Sequence, residues 1–194
     1  MRKVLKASLL TVLGFLIQTC VMQQLKLGGV VANVLAINIA ILTVSWGKKY
    51  AFGASCLTGI LLEATTYSVG ALYAVIYPVI CMALSYAFAD MSDERREKRL
   101  LSQNNNDKKG MRGDINPHIR IPLNAMCIAA AIEAVLLVYA TLSGTQLTVA
   151  FLSRAFLSVV YTGLLAIVVM YPVRRFLHMY GRRVRRAMIE DNRV

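Results

Sequence analysis

Long apolar blocks alternate with short polar stretches along this chain, and six of the blocks are about long enough to cross a bilayer. A transmembrane helix needs about 20 apolar residues, because the hydrocarbon core of a bilayer is about 30 Å thick. We therefore predict an all-α, polytopic membrane protein with six transmembrane helices in one bundle and a single membrane domain. The predicted spans are residues 4–22, 29–46, 50–68, 71–89, 122–142 and 150–173.

Charge supports that pattern and predicts its orientation. The chain is 57% hydrophobic, with 16% charged residues and a net charge of +12. If the N-terminus is cytoplasmic, all of the 22 basic residues except Lys26 and Arg154 fall in cytoplasmic segments. The positive-inside rule thus explains the basic excess without a nucleic-acid partner. We predict a multi-pass protein of the bacterial cell membrane with both termini in the cytoplasm. The basic start resembles a signal peptide but lacks a small-x-small cleavage site, so we expect a retained first helix.

Two polar segments lie between or after the spans. Residues 90–121 are predicted to form a cytoplasmic linker, since part of this segment has the composition of disordered chains. Residues 174–194 are predicted to form a basic cytoplasmic tail, in which apolar residues recur every fourth position. Two interpretations of the tail stay open: an interfacial amphipathic helix on anionic lipid, or a set of stop-transfer charges. The candidate membrane-surface residues are Arg182, Arg183, Arg185 and Arg186.

The third apolar block contains a carboxylate, Glu63. Counting back in steps of four along the helix gives Gly59, Ser55 and Ala51, which are small residues on one face. Small side chains allow membrane helices to approach one another closely, so Glu63 is expected to face protein and not lipid. Its role is either structural, locking the helices together, or that of a ligand or ion site.

A second acid, Glu133, repeats the pattern in the fifth block. Ala129 and Ala125 lie four and eight residues before it, again on one helical face. Its position predicts a depth near the middle of the membrane. We hypothesise that Glu133 is protonated there and has a hydrogen-bond partner.

Three polar residues are predicted to form a cluster near the outer surface. Asn33, Glu63 and Arg154 each lie a few residues inside the outer boundary of their span, within about 8 Å of the surface. An unpaired acid at that depth is costly, so we predict an ion pair between Glu63 and Arg154.

No pattern for covalent chemistry is found in the sequence. The two histidines fall in predicted cytoplasmic segments, and there is no phosphate-binding loop, zinc-protease motif or nucleophile elbow. The four cysteines lie in apolar blocks without close pairing, which predicts neither a disulfide nor a metal site. We expect a non-enzymatic protein with no catalytic residue, cofactor or metal.

Several short motifs carry a resemblance to a known family. They are Leu27-Gly-Gly-Val-Val-Ala-Asn33, Trp46-Gly-Lys-Lys49, Gly53-x5-Gly59-Ile-Leu-Leu-Glu63, Gly70-Ala-Leu-Tyr73 and Tyr171-Pro-Val-Arg-Arg175. With these motifs the chain resembles the rod shape-determining protein MreD family of bacteria over essentially its whole length. It departs from the family pattern at Ala32-Asn33, where Pro-Asn is common, and at Glu63, where aspartate is common. The 90–121 segment is also longer than usual.

The resemblance implies a membrane scaffold of the cell-elongation complex, which contributes to rod-shape maintenance and lateral peptidoglycan synthesis. The implied direct partner is an MreC-type single-span protein. Through it the family is linked to MreB, to RodA and to a class B penicillin-binding protein. The family's fold is similar to the substrate-binding subunits of energy-coupling-factor transporters.

That similarity keeps a second hypothesis open, a transporter subunit that binds a vitamin-like small molecule. An outer cavity lined by Asn33, Glu63 and Tyr67 would favour transport. A polar cluster closed by the protein's own helices would favour the scaffold. A membrane enzyme is a weaker third hypothesis, because it needs converging polar groups that the pattern does not show.

Overall fold

The computed structural model of the protein describes residues 2–26, 28–65, 71–88, 117–144 and 148–176. The regular elements in this part of the chain are helices, which confirms the prediction of an all-α fold. They are α1 (Arg2–Leu16), which continues into a π-helical turn (Ile17–Val21), α2 (Val34–Trp46), α3 (Lys48–Thr65), α4 (Leu72–Phe88), α5 (Pro117–Leu142) and α6 (Val149–Phe176).

Three helical stretches are long and apolar enough to cross a membrane, which marks the chain as a membrane protein. They are Val4–Val21, His118–Leu142 and Val149–Arg175. Of the other three helices, α2 and α4 are apolar but shorter, with 13 and 17 residues, whereas α3 has 18 residues that include Lys48, Lys49 and Glu63. At 1.5 Å per residue, α2 covers about 20 Å, which is less than the hydrocarbon thickness.

Helix α2 is the centre of the bundle. Its sequence is apolar on all sides, and every residue from Val34 to Val44 is buried, as expected for a core helix. It contacts all five other helices, which surround it as an arc in the order α1, α3, α4, α5, α6. Neighbours in the arc pack together, whereas α3 and α6 do not touch within the described residues.

The chain before α2 is not helical, although the second span was predicted to begin at residue 29. Gly28 and Gly29 have φ angles of +60° and +78°, which a right-handed helix does not accept. The helix begins only after Asn33, whose side-chain Oδ1 accepts a hydrogen bond from the Ala36 N–H at 3.0 Å. Such an N-cap contributes about 1 kcal/mol.

The helices alternate in direction, so the bundle has two ends. We call them the Lys48 end, where α1, α3 and α5 begin, and the Glu63 end, where these three helices finish and α2, α4 and α6 begin. Two contacts define the alignment: Lys48 of α3 lies over the Tyr86 ring of α4, and His118 of α5 stacks on Tyr171 of α6.

The described helices extend two of the predicted elements. Residues 117–121, predicted as part of the linker, form the first turn of α5, and α6 continues past the predicted end of its span to Phe176. Pro117 occupies the first helical position, where its missing N–H costs no hydrogen bond. The rest of the linker and tail residues 177–194 lie outside the described residues.

Candidate functional site

A polar network joins the start of α2 to three other parts of the bundle. The Asn33 N–H donates to Thr162 Oγ1 of α6 at 2.9 Å, and Asn33 Nδ2 donates to the Tyr77 hydroxyl of α4 at 3.1 Å. The Val34 N–H donates to Gln18 Oε1 in the π-helical turn at 2.7 Å. The first N–H groups of a helix have no acceptor within it. Other helices supply acceptors here, which ties α2 to its neighbours.

Glu63 closes the hairpin between α3 and α4. Its Oε1 accepts a hydrogen bond from the Ala71 N–H at 2.9 Å, and its Oε2 accepts one from the Tyr73 N–H at 3.0 Å. A carboxylate at a helix N-terminus is stabilised by the free N–H groups and by the helix dipole. Of the two roles left open for Glu63, this geometry supports the structural one.

The predicted ion pair between Glu63 and Arg154 is not formed in the described part of the chain. Arg154 is exposed on α6, and α6 does not contact α3. The physical reason is the order of the arc, in which α4 and α5 stand between these helices. Equal depth along two spans puts residues at the same level, but it does not put them on the same side of the bundle. Of the three residues in the predicted cluster, Asn33 and Glu63 therefore lie close to α4, whereas Arg154 does not lie close to Glu63.

Glu133 lies towards the Glu63 end and close to α4. Its helix packs against α4, which carries Tyr73 and Tyr77. The Glu133 side chain is half-buried, and no hydrogen bond to its carboxyl group is found within the described residues. The predicted depth of Glu133 near the middle of the membrane stays a prediction.

The small-residue face of α3 is buried, and at Gly59 it lies against the backbone of α4. Ala51 and Ser55 are fully buried. A Cβ atom added to Gly59 would lie 2.7 Å from the Tyr73 carbonyl oxygen and 2.8 Å from Ala74 Cα. Both distances are shorter than van der Waals contact, so this crossing requires glycine.

The corresponding face of α5 is buried too. Ala125 and Ala129 are almost completely inaccessible. Asn124, the residue before Ala125, is fully buried, and neither polar atom of its amide has a hydrogen-bond partner among the residues that the structure describes. The sequence did not single out Asn124, although a polar residue among buried alanines was the available signal.

Sequence reasoning also missed a contact between α1 and α2. Asn38 is buried, its Nδ2 donates to the Leu10 carbonyl at 3.4 Å, and its amide occupies the space that a Cβ on Gly14 would need. The sequence shows Asn38 only as a polar interruption of an apolar block. Its partner could not be predicted, because periodicity does not pair one helix with another.

Some predicted positions lie outside the described residues, namely Tyr67 and the tail arginines Arg182, Arg183, Arg185 and Arg186. Within the described ranges, no group of three or more His, Cys, Asp or Glu side chains could hold a metal ion, and all four cysteines are free thiols. The candidate site is therefore the network around the starts of α2 and α4. Comparison of this chain with protein-family models, with curated proteins and with solved structures gives no match.

Proposed function

We propose that this protein is a non-enzymatic scaffold of the bacterial cell-elongation machinery that binds partner membrane proteins through its helix faces. One observation favours a scaffold over a ligand-binding protein: the polar groups of the site form hydrogen bonds with the protein's own helices. Both Glu63 carboxylate oxygens accept hydrogen bonds from backbone N–H groups at the start of α4. Asn33 forms hydrogen bonds with residues of α2, α4 and α6. A ligand pocket instead directs such groups into a cavity.

The proposed scaffold crosses the cytoplasmic membrane six times with both termini inside. The alternating directions of the six helices support this topology. Non-helical backbone at membrane depth is tolerated where protein surrounds it, and α6 side chains contact the chain just before α2. The short helix α2 and the non-helical chain before it would then cross the membrane together, inside the bundle. The Lys48 end, which is rich in Lys and Arg, faces the cytoplasm under the positive-inside rule.

The partners follow from the sequence resemblance to the MreD family. An MreC-type single-span protein is the proposed direct partner, and MreB, RodA and a class B penicillin-binding protein are indirect ones. An apolar stripe on α1 suits a partner's membrane helix or lipid, because its residues recur every three or four positions and are more than half exposed. They are Leu5, Leu9, Leu13 and Leu16.

Depletion and co-purification test the proposal together. We expect rod-shaped cells to become round when the protein is depleted, and the MreC-type protein to co-purify with it from detergent-solubilised membranes. A variant with Leu5 and Leu9 changed to alanine is expected to lose co-purification if α1 is the docking face. The matched control changes Leu164 and Val168 of α6, which are also exposed. Unchanged rods after depletion would refute the elongation role.

One observation favours the alternative, the substrate-binding subunit of a vitamin-like transporter. Glu133 is a half-buried acid on a helix that packs against α4, and its carboxyl group has no hydrogen bond within the described residues. A small ligand with a donor group would satisfy it. Loss of uptake of one small molecule in Glu133→Gln cells that remain rod-shaped would support transport over the scaffold.

A further inference from the structure

The charged residues that the structure describes are distributed unevenly between the two ends of the bundle. The two acids, Glu63 and Glu133, lie towards the Glu63 end, together with the bases Lys26 and Arg154. The charged side chains described at the Lys48 end are all basic, namely Lys6, Lys48, Lys49, Arg120, Arg174 and Arg175. The described side chains therefore give this end a net positive charge.

Aromatic rings accompany these bases. Trp46 and Tyr50 meet edge to face, with ring centroids 5.6 Å apart. The Lys48 ammonium lies 3.7 Å from the centroid of the Tyr86 ring, and Tyr86 is 73% exposed. Trp and Tyr concentrate where hydrocarbon meets headgroups. The rings thus place the lysines at the level of lipid phosphates.

We propose that the turn between α2 and α3, together with the end of α4, binds the headgroups of anionic phospholipids. Lys48 and Lys49 are both exposed at this turn, so two ammonium groups are available to one negatively charged headgroup. Tyr86 holds the Lys48 side chain over its face through a cation–π contact. A zwitterionic headgroup has no net charge and gains less from the same two cations. This inference rests on the proposed membrane insertion.

The net charge of the polar segments that follow α4 and α6 in the sequence has the same sign as the charge at this end. Residues 89–116 contain seven basic and six acidic side chains, and residues 177–194 contain five basic and two acidic ones. Both segments are net positive, so neither has an excess of negative charge. An anionic headgroup is a negatively charged partner that the proposed membrane insertion would bring to this turn.

The only tryptophan of the chain, Trp46, provides a reporter two residues from Lys48. The full-length protein is reconstituted into phosphatidylcholine vesicles that contain phosphatidylglycerol, and one lipid at a time is replaced by a form brominated near the headgroup. We expect brominated phosphatidylglycerol to quench Trp46 with an apparent binding constant about tenfold that of brominated phosphatidylcholine. The preference should fall to about twofold or less in the Lys48→Gln/Lys49→Gln variant.

The matched control is Lys26→Gln/Arg154→Gln, which removes the same charge from the Glu63 end and should keep the preference. Inorganic phosphate added to the vesicles should leave it unchanged; displacement by phosphate would assign the site to free anions and overturn the lipid proposal. Equal quenching by both lipids would also overturn it while leaving membrane insertion intact. Absence of quenching by either lipid would instead refute insertion.

Discussion

Gly59→Ala tests the close crossing of α3 and α4 most directly. The added methyl group would meet the Tyr73 carbonyl oxygen at 2.7 Å and Ala74 Cα at 2.8 Å. These atoms are helix backbone and have no rotamer to change, so α4 must withdraw by several tenths of an ångström. Overpacking of this kind costs typically 1–3 kcal/mol.

The withdrawal also strains a second interaction. Glu63 lies one turn after Gly59 on α3, and its carboxylate bonds to the start of α4 at 2.9 and 3.0 Å. Moving α4 lengthens these charge-assisted bonds, each of which contributes about 1.5–3 kcal/mol when well formed. We therefore expect Gly59→Ala to reduce the free energy of unfolding by about 2–4 kcal/mol.

Gly53→Ala is the matched control on the same helix. A Cβ at Gly53 meets nothing within 4 Å, so only helix propensity changes, which favours alanine by about 1 kcal/mol. The assay is loss of helical circular dichroism as the mole fraction of a denaturing detergent rises in mild micelles. If Gly59→Ala is as stable as Gly53→Ala, the close approach of α3 and α4 is refuted.

Four further substitutions examine the polar network and the predicted ion pair by the same unfolding assay. Glu63→Gln leaves one acceptor oxygen and turns an NH₂ group towards a backbone N–H, so we expect a loss of about 1–3 kcal/mol; stability equal to wild type would remove its role in the hairpin. Asn33→Ala removes both the cap of α2 and the bond to Tyr77, with an expected loss of about 2 kcal/mol. Tyr77→Phe should lose less stability than Asn33→Ala, because the cap of α2 remains. Equal losses for the two variants would show that the cap contributes nothing. Arg154→Gln should change stability by no more than about 0.5 kcal/mol, since the residue is exposed; a loss as large as that of Glu63→Gln would restore the predicted ion pair.

Several features of the fold could be predicted from the order of residues. The apolar blocks predict helices because chain segments of that composition must satisfy their backbone groups internally. The stretch from Val34 to Val44 is apolar on all sides, and such a helix has no face for water. Glu63 and its preceding small residues were recognisable as a helix contact, because the spacing of four puts them on one face.

Tertiary packing decided which residues meet. Glu63 bonds to the start of α4 and not to Arg154, because α4 and α5 separate the two in the arc. Tyr73 and Tyr77 belong to the site because both lie on α4, which packs against α2 and α3. The physical cause is that periodicity determines the depth and face of a residue on its own helix, whereas the neighbour on that face depends on how all six helices pack around α2.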